Sequence, residues 1–383
     1  MHYSHPFPED RMAYRPGNPR YQRQISLREF GERGQKKLHD TKVLVIGAGG
    51  LGCPALQYLV AAGIGTIGIA DHDTVSISNL HRQVLYSTDD IGLSKALRAA
   101  DILGLLNPEI EITAYNYLLT STNALGLISQ FDIILDGTDN FASRYMINDA
   151  CVILGKTLVY GAISRFEGQV AIFNYQGRNT QTPTNYRDLF PHPPADGEIQ
   201  NCEEAGVLGV LPGIIGSMMA NETIKLITGI GDPLLNRLIT YNSLNNQLYE
   251  LEIAAGVDTR SLIPADADEF KQTDYDWLCS GISVPQIDHD TFTKMLTQSD
   301  ISVIDVREFN ETPIIKEFEH VNIPMSLFRE KLSEIKGETV ILFCQSGKRS
   351  ANAAKILSEH YGNSKKIYSL KEGITSWKSL KKI

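Results

Sequence analysis

The 383-residue sequence predicts an α/β protein with two domains, the first of which contains a mostly parallel sheet. Between residues 42 and about 175, short apolar runs of strand length alternate with helical stretches, a pattern typical of a parallel sheet covered by helices on both faces. A glycine-rich loop follows the first strand, and a shorter alternation of the same kind begins near residue 285. We therefore expect a large α/β domain followed by a small one.

The first domain is organised around residues 42–71. Residues 43–46 form an apolar strand that leads into the sequence GAGGLG, and a helical pattern and a second strand follow. Asp71 ends that second strand about 20 residues past the glycines, where a Rossmann pattern places a ribose-binding acid. Glycines allow a phosphate to approach the backbone at a helix N-terminus. The pattern predicts a Rossmann-like nucleotide site that includes Gly47, Gly49, Gly50, Gly52 and Asp71.

Composition and charge exclude several classes of protein. A formal net charge of -9 argues against a nucleic-acid binder, which needs basic groups to replace counterions. The first 20 residues lack the apolar core of a signal peptide, and the longest apolar stretch, residues 205–220, is too short to span a bilayer easily. The five cysteines form no CxxC pair. We expect a cytoplasmic protein without a membrane segment.

Composition shifts along the chain predict the domain boundaries. Residues 1–19 are polar and proline-rich and are interpreted as an N-terminal arm, and residues 20–255 as the first domain. Residues 256–284 show no clear periodicity and are interpreted as a linker, followed by the second domain at 285–383. Residues 175–201 form a long loop with four prolines, which is either functional or mobile.

The polar residues that follow the glycine loop favour ATP over NAD as the nucleotide. ATP chemistry needs cations near the phosphates and a carboxylate to hold Mg²⁺, whereas NAD binding needs no such set. Arg82, Lys95 and Asp139 supply both kinds of group, although Asp139 and Asn140 are also suited to capping the next helix. An NAD-dependent oxidoreductase remains the alternative. The candidate residues in this part of the chain are Asn79, Arg82, Gln83, Lys95, Asp139 and Asn140.

Seven motifs occur in an order that resembles the MoeB/ThiF/HesA branch of the ubiquitin-activating-enzyme-like family. They are RYQRQ, GAGGLG, DHDTVSISNLHRQ, GLSKA, DGTDN, GAISRFEGQ and CEEAGVLG, and the resemblance covers residues 19–253. It implies ATP-dependent adenylation of the C-terminal glycine of a small ubiquitin-like sulfur-carrier protein that ends in Gly-Gly. The products would be a carrier acyl-adenylate and pyrophosphate.

The resemblance also implies roles for individual residues. Asp71 would bind the ribose, Arg82 and Lys95 the phosphates, and Asp139 the Mg²⁺ ion. Arg23, in RYQRQ, would reach into the active site of a partner subunit, which makes a homodimer the expected functional unit. In some relatives the cysteine equivalent to Cys202 forms a thioester or acyl disulfide with the carrier, and in others it is dispensable. A loop cysteine without chemistry is an equally good interpretation of Cys202.

The second domain contains a candidate nucleophile, Cys344, directly after an apolar strand. The sequence CQSGKRS opens into a helix, so backbone N–H groups, Lys348 and Arg349 would surround the thiol and favour a reactive thiolate. A cysteine phosphatase would have five residues between its cysteine and arginine, but only four separate Cys344 from Arg349. With Asp305 and Arg307 in DVRE, residues 285–383 instead resemble a rhodanese domain. The resemblance implies that Cys344 carries sulfur as a persulfide.

Together the two resemblances imply one product, a carrier thiocarboxylate, made by an adenylyltransferase fused to a sulfurtransferase. A sulfur donor such as a cysteine desulfurase would load Cys344, and the carrier would serve molybdopterin, thiamine, tRNA thiolation or another sulfur pathway. A catalytically silent carrier-binding scaffold with a sulfurtransferase domain is a further alternative, which the intact set of polar residues disfavours.

The sequence departs from its relatives at a metal site. Many members of the family hold a structural zinc ion with two CxxC pairs, whereas this chain has Asn185 and Asp188 where the first pair is expected. The second pair, expected between residues 245 and 275, is absent too. Because four thiolates make such a site, we predict no structural zinc. The surrounding region would then be held by packing alone or be mobile.

Overall fold

A computed structural model describes residues 2–4, 14–177, 182–193, 206–256, 259–275, 284–297 and 300–374. The chain divides into two compact units, Met1–Tyr275 and Asp276–Ile383. Both have the predicted α/β architecture, so the predicted fold class is confirmed.

A nine-stranded sheet forms the centre of the first unit, within the ranges described. The order across the sheet is β1-β4-β3-β2-β5-β6-β7-β8-β9, where the strands are β1 (His2–Ser4), β2 (Lys42–Ile46), β3 (Thr66–Ala70), β4 (Glu111–Tyr115), β5 (Ile133–Asp136), β6 (Thr157–Ser164), β7 (Glu167–Phe173), β8 (Arg237–Asn242) and β9 (Gln247–Glu252). The five strands from β4 to β6 are parallel. Strand β1 and strands β7 to β9 extend this parallel centre with antiparallel pairing.

Helices cover the sheet of the first unit. They are α1 (Gln22–Ile25), α2 (Gly31–His39), α3 (Gly52–Ala62), α4 (Lys95–Leu106), α5 (Ala124–Ile128), α6 (Phe141–Leu154), α7 (Tyr186–Leu189), α8 (Val210–Thr228) and α9 (Ala267–Gln272). Strand β2 is buried at every position after Lys42, as its unbroken apolar sequence requires when both faces are covered. Among the described helices, none is long and apolar enough to cross a membrane.

Strand β7, at the end of the alternation predicted up to about residue 175, does not continue the parallel pairing of the strands before it. Only Arg165 and Phe166 separate β6 from β7, and the two strands pair antiparallel as a hairpin. A two-residue connection leaves no room for the crossover helix that a parallel pair needs. The parallel part of the sheet therefore ends at β6.

Part of the predicted linker is folded into the first unit. Residues 259–262 form a 3-10 helix, α9 follows, and Phe270 and Tyr275 are buried. Residues 259–275 of the linker predicted at 256–284 are thus packed in the structure, because two aromatic side chains bury apolar surface there despite the absence of a clear periodicity. The domain boundaries at 255 and 285 otherwise stay predictions.

Polar contacts hold this segment to α6 and α7, close to Asn185 and Asp188, which replace the expected CxxC pair. Asp149 in α6 accepts hydrogen bonds from Arg187 Nε at 2.8 Å, from Arg187 Nη2 at 2.7 Å and from the Tyr275 hydroxyl at 2.9 Å. Asp188 accepts from the Gly256 N–H at 2.9 Å and from the Thr259 hydroxyl. Polar contacts therefore add to the packing in the described part of this region. The absence of zinc itself stays a prediction.

The second unit is a five-stranded parallel sheet with the order β10-β14-β13-β11-β12. Its elements are β10 (Gln286–Ile287), α10 (His289–Met295), β11 (Ile301–Asp305), β12 (Val321–Asn322), β13 (Thr339–Phe343), α11 (Lys348–Tyr361) and β14 (Lys366–Leu370), with a 3-10 helix at Met325–Glu334. Alternate residues of β13 enter two separate apolar clusters, one with Phe328 and α11 and the other with Phe292 of α10. The central strand is therefore buried on both faces, and its carboxyl end leads directly to Cys344.

Candidate active sites

A cleft opens at the carboxyl ends of β2, β3 and β5 in the first unit. The strand order reverses between β2 and β5, and crevices at such points bind ligands in open α/β sheets. Most of the residues predicted to bind the nucleotide line this one cleft: Gly47, Gly49, Gly50, Asp71, Arg82, Gln83, Lys95, Asp139 and Asn140. The fold thus brings together side chains from separate loops of the sequence.

The glycine loop brings the start of α3 close to the end of β2. Gly47 has a φ of 92°, and a Cβ at this position would lie 2.8 Å from the Gly137 carbonyl oxygen. Gly52 does not line the cleft, but a Cβ there would lie 1.8 Å from the Gly47 carbonyl oxygen. Helix α3 has no side-chain N-cap. Gly52 therefore shapes the loop, while the other glycines leave room at the helix N-terminus.

Replacing Gly52 with Ala is expected to lower the free energy of unfolding of the first unit by about 1–3 kcal/mol, since the added methyl group overlaps a backbone carbonyl. The matched control is Gly49→Ala, because its Cβ would meet only the end of the Gln83 side chain at 3.4 Å. Chemical denaturation followed by circular dichroism measures both variants. Equal stability of Gly52→Ala and Gly49→Ala would contradict the proposed close approach.

Asp71 is fixed at the end of β3 by two backbone donors. Its Oδ2 accepts from the Ala48 N–H at 2.7 Å and its Oδ1 from the Asp73 N–H at 2.8 Å. Burial raises the pKa of Asp71 above its usual value. Side-chain ligand atoms of Asp71, His72 and Asp73 lie within 4.8 Å of one another, the only such group found among the described residues. The carboxylate therefore faces the glycine loop in a fixed orientation.

The two predicted phosphate-binding cations lie in this cleft with different partners. Lys95, at the start of α4, has a nearly buried side chain whose Nζ lies 3.0 Å from Asp73 Oδ2. Arg82 Nη1 donates to the Ser78 carbonyl at 3.0 Å. The Gln83 side chain is buried, and its Oε1 has no hydrogen-bond partner among the described residues. Sequence reasoning missed Asp73, which the DHD sequence that includes Asp71 could have indicated.

Asn79 does not line the cleft and acts through its backbone. Its carbonyl oxygen accepts from the Arg82 N–H at 3.0 Å and from the Gln83 N–H at 2.9 Å. This turn therefore orients the two residues that do line the cleft.

One buried carboxylate ends β5, and an exposed carboxylate lies in the loop that follows. Asp139 is exposed and lines the cleft, whereas Asn140 Oδ1 accepts from the Ser143 N–H at 2.8 Å and caps α6. Asp136, which sequence reasoning missed, is buried, and burial raises its pKa. Its Oδ1 accepts from Thr138, while its Oδ2 has no hydrogen-bond partner within the described ranges. The sequence feature that could have indicated Asp136 is its position at the carboxyl end of a strand.

The structure does not place Arg23 in the cleft of its own chain, and it does not describe Cys202. Arg23 is exposed in the short helix α1 and does not line the cleft. Cys202 lies outside the described residues.

Cys344 lies between β13 and α11 with its sulfur facing backbone donors. The Sγ atom is 3.2 Å from the Gly347 nitrogen and 3.3 Å from the Ser350 nitrogen, and both N–H groups donate to it. Ser350 Oγ donates to the Gly347 carbonyl at 3.0 Å and contacts Ser369 Oγ at 2.9 Å, which ties the loop to β14. This arrangement stabilises negative charge on the sulfur through hydrogen bonds.

The arginines beside the thiol loop are engaged by carboxylates. Arg307 Nη2 lies 2.6 Å from Asp305 Oδ2, and its Nη1 donates to the Pro313 carbonyl at 3.0 Å. Arg349 forms a two-point ion pair with Glu311, with Nη2 2.7 Å from Oε2. The sequence predicted that Arg349 would act on the thiol, but it did not indicate Glu311, which lies 38 residues away along the chain.

Comparison with known proteins gives the class of this protein. The chain belongs to the ThiF family, whose model matches residues 21–260, and a model for the rhodanese-like domain matches residues 288–380. The predicted resemblance to both families is confirmed. The first unit thus contains the ATP-binding adenylyltransferase fold, and the second is a rhodanese-like domain.

Relatives named for both activities match nearly the whole chain. The probable adenylyltransferase/sulfurtransferase MoeZ of Mycobacterium tuberculosis is 39% identical over 375 residues, which cover 94% of this chain and 92% of that protein. The adenylyltransferase and sulfurtransferase MOCS3 of Arabidopsis thaliana is 38% identical, with 89% of this chain and 79% of that protein covered. The sulfur carrier protein adenylyltransferase of Thermus thermophilus is 49% identical over 234 residues, 61% of this chain and 86% of that protein. The predicted enzyme class is confirmed.

Solved structures share the fold of the first unit. A crystal structure of E. coli MccB with ATP has a TM-score of 0.54 and 24% identity, and covers 63% of this chain and 73% of that chain. A crystal structure of PaaA has a TM-score of 0.52 and 24% identity, over 61% of this chain and 72% of that chain. At this level of identity the likeness extends to the fold alone.

Proposed function

We propose that the chain uses ATP and Mg²⁺ to adenylate the C-terminal glycine of a ubiquitin-like sulfur-carrier protein that ends in Gly-Gly. Sulfur then passes from a persulfide on Cys344 to the activated carrier, which gives the carrier thiocarboxylate. The observation that supports this most strongly is the convergence of Asp71, Arg82, Lys95 and Asp139 on one cleft. The relatives that match almost the full length carry both activities in their names.

Each cleft residue has a role that follows from its position. Asp71, held by two backbone N–H groups, accepts hydrogen bonds from the ribose hydroxyls. Arg82 and Lys95 neutralise the phosphates, and Lys95 exchanges the Asp73 carboxylate for a phosphate oxygen when the nucleotide binds. The carrier carboxylate attacks the α-phosphate and pyrophosphate leaves, so no protein nucleophile is needed for this step. Positioning and positive charge supply the catalysis.

Asp139 is the proposed Mg²⁺ ligand, because its exposed carboxylate lines the cleft. Carboxylate oxygens are the ligands that a hard divalent cation prefers, and the buried Asp136 Oδ2 at the end of β5 has no hydrogen-bond partner among the described residues, although Asp136 itself does not line the cleft. The ion would supply positive charge for the leaving pyrophosphate.

Arg23 supports the homodimer part of the proposal. It is exposed and lies outside the cleft of its own chain, so its guanidinium is available to the cleft of a second copy. The proposal includes a cytoplasmic location and a sulfur donor such as a cysteine desulfurase. Molybdopterin and thiamine synthesis are the proposed pathways for the carrier, and tRNA thiolation is a further candidate.

ATP–pyrophosphate exchange with Mg²⁺, measured with and without candidate Gly-Gly carriers from the same organism, tests the adenylation step. We expect exchange with at least one carrier and a loss of about 100-fold or more in Asp139→Ala, because the proposed Mg²⁺ ligand is removed and the positive charge of the ion is no longer held in the cleft. The control is Asp89→Ala, an exposed aspartate that does not line the cleft.

Other outcomes of the exchange assay favour the alternatives. No exchange with any carrier would support a silent scaffold with a sulfurtransferase domain. Tight NAD binding together with turnover of the reduced cofactor would support an oxidoreductase. Exchange that persists in Asp139→Ala would contradict only the proposed role of Asp139, and adenylation itself would still be supported.

A further inference from the structure

The loop that holds Cys344 is bordered by two arginines whose positive charges are already compensated. Arg349, with a side chain 14% exposed, contacts both carboxylate oxygens of Glu311. Arg307, with a side chain 4% exposed, is bound in the same way to Asp305. The side chain of Lys348 lies outside the described residues. Neither of the two described arginines is thus an open binding site for an anion.

Glu311 is held firmly in this position. Its Oε1 accepts from the Glu308 N–H at 2.8 Å, and Glu308 in turn accepts from the Ser326 hydroxyl at 2.9 Å. The ion pair with Arg349 lowers the pKa of Glu311, so the carboxylate is charged at neutral pH. A fixed negative charge therefore accompanies the positive charge of Arg349.

Arg349 lies in the first turn of α11, directly before Ser350, whose N–H donates to the Cys344 sulfur. The hydrogen bond to Glu311 raises the pKa of Arg349, and the charges of Glu311 and Cys344 add to the effect. Among the described side chains of this loop, a donor that meets Arg349 therefore meets a neutral ion pair instead of a free cation.

We propose that Glu311 is a specificity-determining residue of the sulfur-transfer site, which disfavours free anionic sulfur donors by occupying Arg349. The inference rests on the proposed role of Cys344. In the loading step the Cys344 thiolate attacks the sulfane sulfur of the donor. A new S–S bond forms, the S–S bond of the donor breaks, and the leaving group departs with the bonding electron pair. Because Glu311 compensates the charge of Arg349, a negative charge on the donor increases its binding affinity for the site only slightly.

A series of small donors with different charges tests this inference in the full chain. Thiosulfate is a dianion, methanethiosulfonate a monoanion and 2-aminoethanethiosulfonate a zwitterion. After transfer of the sulfane sulfur, the leaving group is sulfite for thiosulfate and a sulfinate for the other two. In Glu311→Gln the KM for thiosulfate is expected to fall about tenfold, the effect of one charge-assisted hydrogen bond, while the KM for the zwitterion stays within about twofold. Glu334→Gln, which removes an exposed carboxylate paired with Lys331, should change none of the three values.

Two further variants identify the cause of the change. The fall in the KM for thiosulfate should disappear in the double variant Glu311→Gln with Arg349→Gln, because the cation that Glu311→Gln frees is then absent. Glu311→Asp keeps the charge but is too short for the same two-point contact, so it should show a smaller shift of the same sign. This variant serves if Glu311→Gln does not fold.

The possible results separate this inference from the proposed function. Equal KM values in the wild type and Glu311→Gln, or an equal fall for all three donors, would overturn the role of Glu311. Turnover that persists in Cys344→Ala would overturn the role of Cys344 itself. Turnover that depends on Cys344 and responds to donor charge only in Glu311→Gln supports both.

Discussion

Replacing Asp149 with Ala is expected to lower the free energy of unfolding of the first unit by about 3–5 kcal/mol. Asp149 is buried and accepts four hydrogen bonds, two of them from Arg187, one from Tyr275 and one from the Asn148 side chain. Its loss leaves the buried guanidinium of Arg187 without a compensating charge and leaves the Tyr275 hydroxyl without this acceptor. Chemical denaturation of the full chain, followed by circular dichroism and fitted with one transition for each unit, measures the change.

The matched control is Asp268→Ala, which also removes an aspartate from an ion pair. Asp268 lies 3.7 Å from Lys271, and both side chains are exposed. Exposed pairs of this kind contribute about 0–1 kcal/mol, so the control should be nearly neutral. A loss in Asp149→Ala no larger than that in Asp268→Ala would show that the buried network does not stabilise the unit.

The same network bears on the predicted absence of zinc. If polar contacts replace the metal, a chelator should leave the unfolding transition of the wild type unchanged, since no ion would be removed. Metal analysis that found one stoichiometric zinc ion per chain would contradict the prediction.

Replacing Cys344 with Ala is expected to reduce sulfur transfer at least about 1,000-fold while leaving ATP–pyrophosphate exchange intact, because the nucleophile is lost and the nucleotide cleft is unchanged. The carrier thiocarboxylate, measured by mass spectrometry, reports the first activity. Cys344 is the cysteine whose sulfur accepts two backbone N–H groups at the start of a helix.

Cys151→Ala is the matched control for this prediction. Cys151 is also fully buried, but it lies within α6, and burial raises its pKa far above that of an ordinary thiol. A thiol in such surroundings is unreactive. Equal sulfur transfer in Cys344→Ala and Cys151→Ala would contradict the assignment, as would a loss of exchange in Cys344→Ala.

Local sequence patterns predicted the fold and much of the nucleotide cleft. A parallel strand buried on both faces needs an unbroken apolar run, and β2 and β13 both show one. Gly47 and Gly52 are required by close backbone approach, so their spacing is visible in the sequence. The position of Asp71 beside the glycine loop could also be predicted, because the carboxyl ends of parallel strands meet at one edge of the sheet.

Contacts between distant parts of the chain could not be predicted in this way. The Glu311–Arg349 pair and the Asp149–Tyr275 contact join residues 38 and 126 positions apart. Each depends on how separate loops meet and leaves no periodic signal. The burial of Asp136 could not be predicted either, because tertiary packing buries its side chain.

The contact between Asp149 and Tyr275 also determines where the chain can be divided into separately produced fragments. A fragment that ends at residue 255 would lack Thr259, helix α9 and Tyr275, and would expose the buried pair of Asp149 and Arg187 to solvent. A fragment that ends after Tyr275 keeps all of these contacts. The chain should therefore be divided after Tyr275, whose hydroxyl is buried in the first unit.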